Sequence, residues 1–319
     1  MAEVKIVPVA PAEEGMRLDR WLRRRWPHLS QVQIQKLART GQLRQDGARV
    51  KADTRLSAGA MIRVPPLPEG AAPSERGQRT LSAADIAFAK GLVLYEDDEI
   101  LILNKPSGLA VQGGTKTTRH VDGLLSAWGE GPGRPRLTHR LDRDTSGVLL
   151  LAKTAEAAAF LAGGFAKRRA EKTYWALVEG NPKPAEGRID LPLAKVGIDD
   201  RERIVPTTAK DPAGRPAATL YRTVSRAGPR AAWLELHPLT GRTHQLRAHM
   251  LAIGHPMLGD PKYATDASRD ASGDLKLQLH ARRLRTPHPS GGMIDIEAPL
   301  SREMKEGFAR FGFELSEAL

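Results

Sequence analysis

A short apolar run near the middle of the chain constrains the fold more than any other feature. Val148, three leucines and Ala152 stand in succession between Gly147 and Lys153. An apolar run of this length, bounded by glycine and lysine, predicts a strand that is buried on both faces. The strand is therefore scaffold, and the polar turn that leads into it is the candidate site.

That turn carries a high density of charge. Asp142 stands between Arg140 and Arg143, with His139 and Asp144 close by. Neighbouring cations keep a carboxylate ionised, which suits a nucleophile or a base. An ion-paired turn that only starts a strand would carry the same charges, because structural ion pairs also perturb pKa values. The turn by itself leaves both interpretations open.

Length and composition bound the class of protein. A chain of 319 residues suggests about two domains and can bury a sizeable core. Without cysteine it can form no disulfide, iron–sulfur cluster or thiolate zinc site. Residues 1–9 lack the apolar core of a signal peptide, and no stretch approaches the roughly 20 apolar residues of a membrane span. We therefore expect a soluble, cytoplasmic protein.

The net charge of +12 indicates a polyanionic partner, because each Lys or Arg on a phosphate releases condensed counterions. High-GC coding could raise the arginine content without any such partner, so the distribution of charge matters more than its sum. Residues 1–63 carry 13 Lys and Arg against 6 Asp and Glu, whereas residues 64–319 carry 36 against 31. The basic excess is concentrated in the N-terminal part.

That N-terminal part predicts two helices and then a small sheet. The apolar positions of the first helix are Leu18, Trp21 and Leu22, and Pro27 ends it. Ser30 and Gln33 form a capping box for a second helix that stops at Gly41. Its apolar positions are Val32, Ile34 and Leu37. An Asp46-Gly47 turn then joins a hairpin of residues 43–45 and 48–51, and residues 61–64 form a last strand.

Residues 65–85 are rich in Pro, Gly, Ala and Ser and have hardly any apolar pattern. This composition predicts a semi-extended linker, which lets the preceding head be positioned semi-independently. We therefore divide the chain into an N-terminal extension (1–15), a head domain (16–64), a linker (65–85) and a second domain (86–319).

In the second domain, strands outnumber helices and few βαβ units can be drawn, which predicts an α+β architecture. The predicted strands are 92–95, 100–103, 148–152, 171–180, 219–224 and 232–237, the last two as an antiparallel pair. Residues 155–169 predict a helix broken in part by Gly163-Gly164, and residues 264–274 predict a surface loop. Gly108 and Gly113 have the spacing of a phosphate-binding loop, but Gly114 stands where its lysine is required.

Three histidines, His244, His249 and His255, suggest a metal site. On a helix the first two would lie about 140° apart, so they would not converge as an i, i+4 pair does. We therefore expect no metal.

Several motifs together resemble the RluA-type pseudouridine synthases. These are Lys-Pro-x-Gly-Leu (105–109), His-Arg-Leu-Asp-x-x-Thr-Ser-Gly (139–147), Lys-x-Tyr-x-Ala-x-Val-x-Gly (172–180) and Thr-Gly-Arg-Thr-His-Gln-Leu-Arg-x-His (240–249). The resemblance implies that Asp142 is the nucleophile, that Tyr174 lies against the target base, and that Arg247 pairs with Asp142. His139 and Arg140 would take part in RNA binding and base flipping.

The head resembles the small RNA-binding module first described in a small-subunit ribosomal protein (S-four-like), over residues 16–63. It begins with Arg-Leu-Asp-x-Trp-Leu and carries Gln-x-Gln-Ile-Gln-Lys-Leu in its second helix. The resemblance implies that six side chains face phosphate: Arg20, Arg23, Arg24, Gln35, Lys36 and Arg39. A basic head with a purely structural role is the alternative.

The family resemblance implies a fold and a reaction. The fold is the α/β head and an α+β catalytic domain on a large, mostly antiparallel mixed sheet with a central cleft. The reaction converts uridine to pseudouridine in RNA without a cofactor: the N1–C1′ bond breaks, the uracil turns, and a C5–C1′ bond forms. Attack by Asp142 at C1′ and at C6 both remain open. The stretch Val111-Gln112-Gly113-Gly114 and the head resemble the RluC/RluD type, which implies a monomer acting on large-subunit (23S) ribosomal RNA or its precursor.

Three other functions remain open. A synthase for transfer RNA is less consistent with the head, which such enzymes often lack. A non-catalytic RNA-binding assembly factor would have lost Asp142, Tyr174 or Arg247, and all three are present. A glycoside or nucleoside hydrolase would use Asp142 and Asp144, which on a strand share a face about 7 Å apart. Such a hydrolase, unlike an isomerase, releases free uracil.

Overall fold

The computed structural model of the chain describes residues 4–67, 81–113, 119–197 and 202–318. The chain forms two compact units, Met1–Thr80 and Leu81–Leu319. No helix in the described ranges is both long and apolar enough to cross a membrane.

The first unit contains two helices and a four-stranded sheet. Its elements are β1 (Lys5–Pro8), α1 (Leu18–Arg25), α2 (Gln31–Arg39), β2 (Arg44–Gln45), β3 (Ala48–Arg49) and β4 (Met61–Val64). The strand order is β1-β4-β2-β3, with antiparallel pairing throughout. Strand β1 lies within residues 1–15, which the sequence assigns to an extension. Because β1 pairs with β4 along its whole length, that segment is an edge strand of the head sheet.

Local signals in the sequence account for most of these elements. Ser30 Oγ accepts the N–H of Gln33, whose side chain accepts the N–H of Ser30, so the predicted capping box begins α2. Asp46 and Gly47 both have positive φ, as the hairpin turn requires. Ile34 is buried in the head core, but Val32 is 72% exposed, so its assignment to the apolar face is wrong.

The predicted linker and the structure differ at its end. Residues 68–80 of that linker lie outside the described residues. Residues 83–85, which the sequence assigns to the linker, begin helix α3 (Ala83–Lys90) of the second unit. Ser82 starts this helix, because its hydroxyl accepts the backbone N–H of Asp85.

The second unit has the predicted mixture of helices around a large mixed sheet. After α3 its helices are α4 (Val121–Leu124), α5 (Ala155–Ala166), α6 (Gln245–Ala252), α7 (Asp266–Ser272) and α8 (Arg302–Phe311). Its strands are β5 (Val93–Glu96), β6 (Ile100–Lys105), β7 (Arg136–Leu137), β8 (Ser146–Ala152), β9 (Glu171–Glu179), β10 (Glu186–Asp190), β11 (Leu193–Val196), β12 (Arg203–Pro206), β13 (Ala218–Ala227), β14 (Ala231–Pro238), β15 (Leu279–Pro287) and β16 (Met293–Glu297).

Ten of these strands form one sheet in the order β10-β13-β14-β9-β15-β8-β6-β5, with β16 on β15 and β7 on β8. Within the described residues, every pair in this sheet is antiparallel except β8 with β15. The expectation of a mixed, mostly antiparallel sheet is confirmed. Strands β13 and β14 are the predicted antiparallel pair.

Strand β8 is the buried strand that the apolar run predicts. All seven of its residues are buried. Leu149 and Leu151 pack in a core with Leu101 of β6, whereas Leu150 packs on the other face with Leu161 of α5. Gly147 is needed at its start, because a Cβ there would lie 2.2 Å from the carbonyl oxygen of Ala281 on β15.

Two local predictions are wrong. Helix α5 continues through Gly163 and Gly164 without a break, because the packing of the whole helix offsets the roughly 1 kcal/mol that each glycine costs. Residues 264–274 are not only loop, because α7 forms within them. A capping box of Thr265 and Ser268 starts that helix.

Candidate active site

A cleft of about 900 Å³ opens in the second unit. Its walls come from the turn before β8, from the end of α5 and the start of β9, and from the segment between β14 and α6. Asp142, Tyr174 and Arg247, which the sequence takes from three separate motifs, all line this cleft. His139 and Arg140 line it too.

The turn that carries Asp142 is held from below by a buried lysine. Lys105, at the end of β6, is fully buried, and its Nζ donates to the carbonyl oxygens of Pro106 (3.0 Å), Leu109 (2.8 Å) and Arg143 (2.9 Å). Burial lowers the pKa of Lys105 to about 7, although the charges of Asp144 and Asp142 oppose this shift. These contacts make Lys105 a support for the turn rather than a group that faces the cleft.

Asp142 presents a free carboxylate to the cleft. Its side chain is half-buried and forms no hydrogen bond or close ion pair with any described residue. Its carbonyl oxygen accepts the N–H of Thr145 at 3.2 Å, which closes the turn. The negative charge of Asp142 acts to raise the pKa values of Lys105, His244 and Arg247, against the effect of burial, and of these three Arg247 is the permanent cation. An unpaired carboxylate among cations is suited to act as a nucleophile.

Arg247 pairs with a residue other than the one the resemblance implies. Its Nε and Nη2 donate to the two carboxylate oxygens of Asp260 at 2.7 and 2.6 Å. The expected direct pair with Asp142 is therefore not formed. Asp260 is fixed for this task, because its Oδ1 also accepts the backbone N–H groups of Lys262 and Tyr263.

Arg247 nevertheless interacts electrostatically with Asp142. Burial lowers the pKa of Arg247, but the hydrogen bonds and charge of Asp260, and then the charge of Asp142, raise it above its ordinary value. Arg247 therefore stays cationic in the cleft wall. None of the motifs from which the sequence predicts the site contains Asp260, and only the fold shows that its carboxylate holds the arginine.

Tyr174 lies on β9 between Leu236 of β14 and Ala281 of β15, with its ring half-buried at the cleft. Burial, and then the negative charge of Asp142, raises the pKa of its hydroxyl. Tyr174 is therefore a protonated phenol at neutral pH. Its position on the sheet next to the cleft leaves the ring available to a ligand.

His139 forms part of the cleft wall. Its Nε2 accepts the N–H of Leu150 at 2.9 Å, and its ring lies 4.7 Å from that of Phe165. Burial, with a smaller contribution from Lys172, lowers its pKa to about 3, so the ring is neutral. Arg140, by contrast, is exposed on the rim and forms no ion pair with a described residue.

The structure does not bring Asp144 into the cleft. Its carboxylate pairs with Arg143 at 3.1 Å, and its carbonyl oxygen accepts the hydroxyl of Ser107 at 2.8 Å. A retaining or inverting hydrolase needs two carboxyl groups that flank the scissile bond. Asp142 and Asp144 do not provide that arrangement.

The three histidines proposed and rejected as metal ligands have separate partners. His249 is buried between Thr219 and the carbonyl oxygen of Leu191, and His255 bonds the carbonyl oxygen of Glu179. His244 alone lines the cleft, a placement that sequence reasoning missed. No group of three potential ligands that could hold a metal occurs within the described ranges.

Further basic side chains line the cleft. Besides Arg140 they are Arg168, Lys172 and Arg242. Basic side chains in a cleft that also presents the ring of Tyr174 suit a ligand with both a phosphodiester backbone and a base.

Comparison with known proteins assigns the chain to a family. A family model described as RNA pseudouridylate synthase matches residues 99–252. Ribosomal large subunit pseudouridine synthase C of Escherichia coli (strain K12) is 36% identical over 312 residues, and the match covers 95% of each chain. The protein of the same name from Vibrio vulnificus (strain CMCP6) is 33% identical over 308 residues, again with 95% of each chain covered. The chain belongs to the RNA pseudouridylate synthase family.

Solved structures agree. Human RNA Pseudouridylate Synthase Domain Containing 4 matches with a TM-score of 0.60 and 27% identity, over 73% of this chain and 98% of that one. Human RNA Pseudouridylate Synthase Domain Containing 1 matches with a TM-score of 0.56 and 27% identity, over 65% and 82%. The predicted family and reaction class are confirmed, so this synthase is an isomerase that acts on RNA.

Proposed function

We propose that this pseudouridine synthase modifies uridines of large-subunit ribosomal RNA, with Asp142 as its nucleophile. The observation that carries the proposal is the free carboxylate of Asp142 in a cleft shared with Tyr174 and Arg247. The names of the relatives from Escherichia coli and Vibrio vulnificus support the choice of ribosomal RNA.

Each cleft residue has a task in the reaction. Arg140, exposed on the rim, enters the space that the flipped uridine leaves. Asp142 adds to the uridine, the N1–C1′ bond breaks, the uracil turns, and C5 bonds to C1′. The bond to Asp142 then breaks, C5 loses its proton and N1 gains one, so the product is an isomer of the substrate and the aspartate is regenerated. Tyr174 stacks on the uracil, and its raised pKa means that its hydroxyl can take up the C5 proton only as it passes its own proton on.

Arg247 supports the nucleophile from the wall of the cleft. Held by Asp260, it supplies a fixed positive charge that does not neutralise Asp142 through a direct hydrogen bond. This arrangement places a fixed cation near the carboxylate of Asp142 and leaves that carboxylate free to react.

The head would dock the enzyme on its RNA. Five exposed cations form no ion pair with described residues: Arg20, Arg23, Arg24, Lys36 and Arg39. Arg25, by contrast, is engaged by Glu13 at 2.7 Å and lies over the Trp21 ring. The five free cations suit phosphate contacts of an S-four-like module. An enzyme that acts on ribosomal RNA would work in the cytoplasm. Because one chain supplies the described lining of the cleft, we propose that the enzyme acts as a monomer.

The decisive experiment maps pseudouridine in total RNA from cells with the wild-type gene, without it, and with the Asp142→Asn allele. We expect specific large-subunit sites to lack pseudouridine in both altered strains. Loss confined to transfer RNA would overturn the ribosomal target. Full modification in the Asp142→Asn strain would support the assembly-factor alternative, and free uracil from the purified protein would support a hydrolase.

A further inference from the structure

His244 and Tyr263 form a directed hydrogen bond beside the cleft. The hydroxyl of Tyr263 accepts the backbone N–H of Ile204 at 2.9 Å and lies 2.9 Å from Nδ1 of His244. A tyrosine hydroxyl has one proton to donate, and His244 Nδ1 is the acceptor within hydrogen-bond distance of it among the described residues, so we assign the proton to that bond. Because Nδ1 then accepts, the neutral imidazole carries its own proton on Nε2.

The ring of His244 is held in this orientation. Tyr263 is 2% exposed and packs edge-on against the imidazole, with ring centroids 5.5 Å apart. Asp260 fixes Tyr263 by accepting its backbone N–H at 2.9 Å. His244 itself has left-handed backbone angles (φ 51°, ψ 19°) at the position before α6, and its side chain makes no capping hydrogen bond to the helix.

The remaining ring nitrogen of His244, Nε2, is available to a ligand in the cleft. Nε2 of His244 has no hydrogen-bond partner among the described residues, although the side chain lines the same cleft as Asp142 and Tyr174. Burial lowers the pKa of His244, Asp142 and Asp260 oppose this, and Arg247 and Lys262 add to it. The ring is therefore neutral at pH 7 and presents an N–H donor without adding a charge.

We propose that His244 is a further substrate-contacting residue, whose Nε2–H donates a hydrogen bond to a carbonyl oxygen of the flipped uracil. The proposal rests on the synthase activity. When the N1–C1′ bond breaks, its electron pair stays with the uracil, and the negative charge spreads to O2 and O4. A fixed donor that meets this charge in a cleft strengthens as the bond breaks. Tyr263 is the positioning residue that sets the tautomer.

A matched pair of variants tests the donor. His244→Phe keeps a ring and removes the N–H, whereas His244→Gln keeps an amide N–H. The readout is single-turnover release of tritium from C5 of uridine in an unmodified large-subunit RNA transcript. We expect His244→Phe to slow release on the order of 10²-fold, with unchanged RNA affinity and thermal stability. His244→Gln should retain most of the rate. Equal rates for the two variants, whether fast or slow, would overturn the proposal.

Tyr263→Phe tests the positioning role. It should slow release in the wild-type background but have no further effect in the His244→Gln background, because glutamine has no Nδ1 for the hydroxyl to bond. The lost acceptor for Ile204 is common to both backgrounds and cancels. Equal losses in both would show that Tyr263 acts on stability alone. The same assay separates failure of this proposal from failure of the proposed function. If the wild type releases tritium and Asp142→Asn does not, the proposed function holds whatever the His244 variants show.

Discussion

Arg247 and Asp260 form a bidentate ion pair with donor–acceptor distances of 2.7 and 2.6 Å, and both side chains are buried. The arginine of the third family motif is therefore held by a carboxylate 13 residues downstream, and not by the nucleophile. This geometry separates two tasks: Asp260 positions the cation, and Asp142 remains free to react.

The pair predicts how Arg247 variants fail. Arg247→Leu leaves the Asp260 carboxylate buried and uncompensated, which costs about 3–5 kcal/mol of unfolding free energy. Adding Asp260→Asn removes the buried charge while its amide oxygen still accepts the N–H groups of Lys262 and Tyr263. Urea unfolding should show the double variant more stable than Arg247→Leu, and tritium release should show both inactive. An Arg247→Leu protein as stable as the wild type would contradict this account.

Asp142→Asn should abolish isomerisation and leave RNA affinity unchanged, because the side chain keeps its size and loses the nucleophile. Asp144→Asn is the matched control, since Asp144 carries the same change two residues away with its carboxylate on Arg143. We expect the control to turn over at the wild-type rate in the same assay. Residual Asp142→Asn turnover within about tenfold of wild type is a barrier change of only about 1.4 kcal/mol, which would rule out the nucleophile assignment.

The head cations predict a salt effect. Replacing Arg20, Arg23 and Arg24 by Gln should lower RNA affinity and reduce the slope of log affinity against log salt by roughly 0.7–0.9 per lost phosphate contact. A control with Gln at Arg226, Arg269 and Arg302 removes the same charge from exposed positions of the second unit. Filter binding from low to high salt compares the two triple variants. Equal slopes would mean that the head contributes only net charge.

Much of the fold and of the candidate site could be predicted from the sequence, because the signals are local. The buried strand β8, the capping box of Ser30 and Gln33 and the motif residues Asp142 and Tyr174 can all be read from short stretches. Strand β1 could not be predicted, because its partner β4 lies more than 50 residues away along the chain. The Asp260 partner of Arg247 and the tautomer of His244 depend on how α6 and the following turn pack. Such contacts between distant segments carry no sequence pattern of their own.

His280 makes the stability of the second unit sensitive to acid. Its ring is fully buried, with Nδ1 bonded to the hydroxyl of Ser146 at 2.8 Å, so it links β15 to β8. Burial lowers its pKa from 6.5 to about 4. Between these two pH values the unfolded chain binds a proton that the folded chain does not, so the free energy of unfolding falls as the pH falls. A shift of this size corresponds to a loss on the order of 3 kcal/mol across the interval.

His280→Asn should flatten that dependence, because the amide cannot be protonated in either state. Ser146→Ala is the matched control: it removes the same hydrogen bond and keeps the imidazole, so its stability should still fall with pH. Denaturant unfolding at a series of pH values from 7 to 4.5 measures all three proteins. His139, whose pKa burial lowers to about 3, contributes a parallel fall that every variant retains. A His280→Asn curve parallel to that of the wild type would show that the fold does not keep His280 neutral.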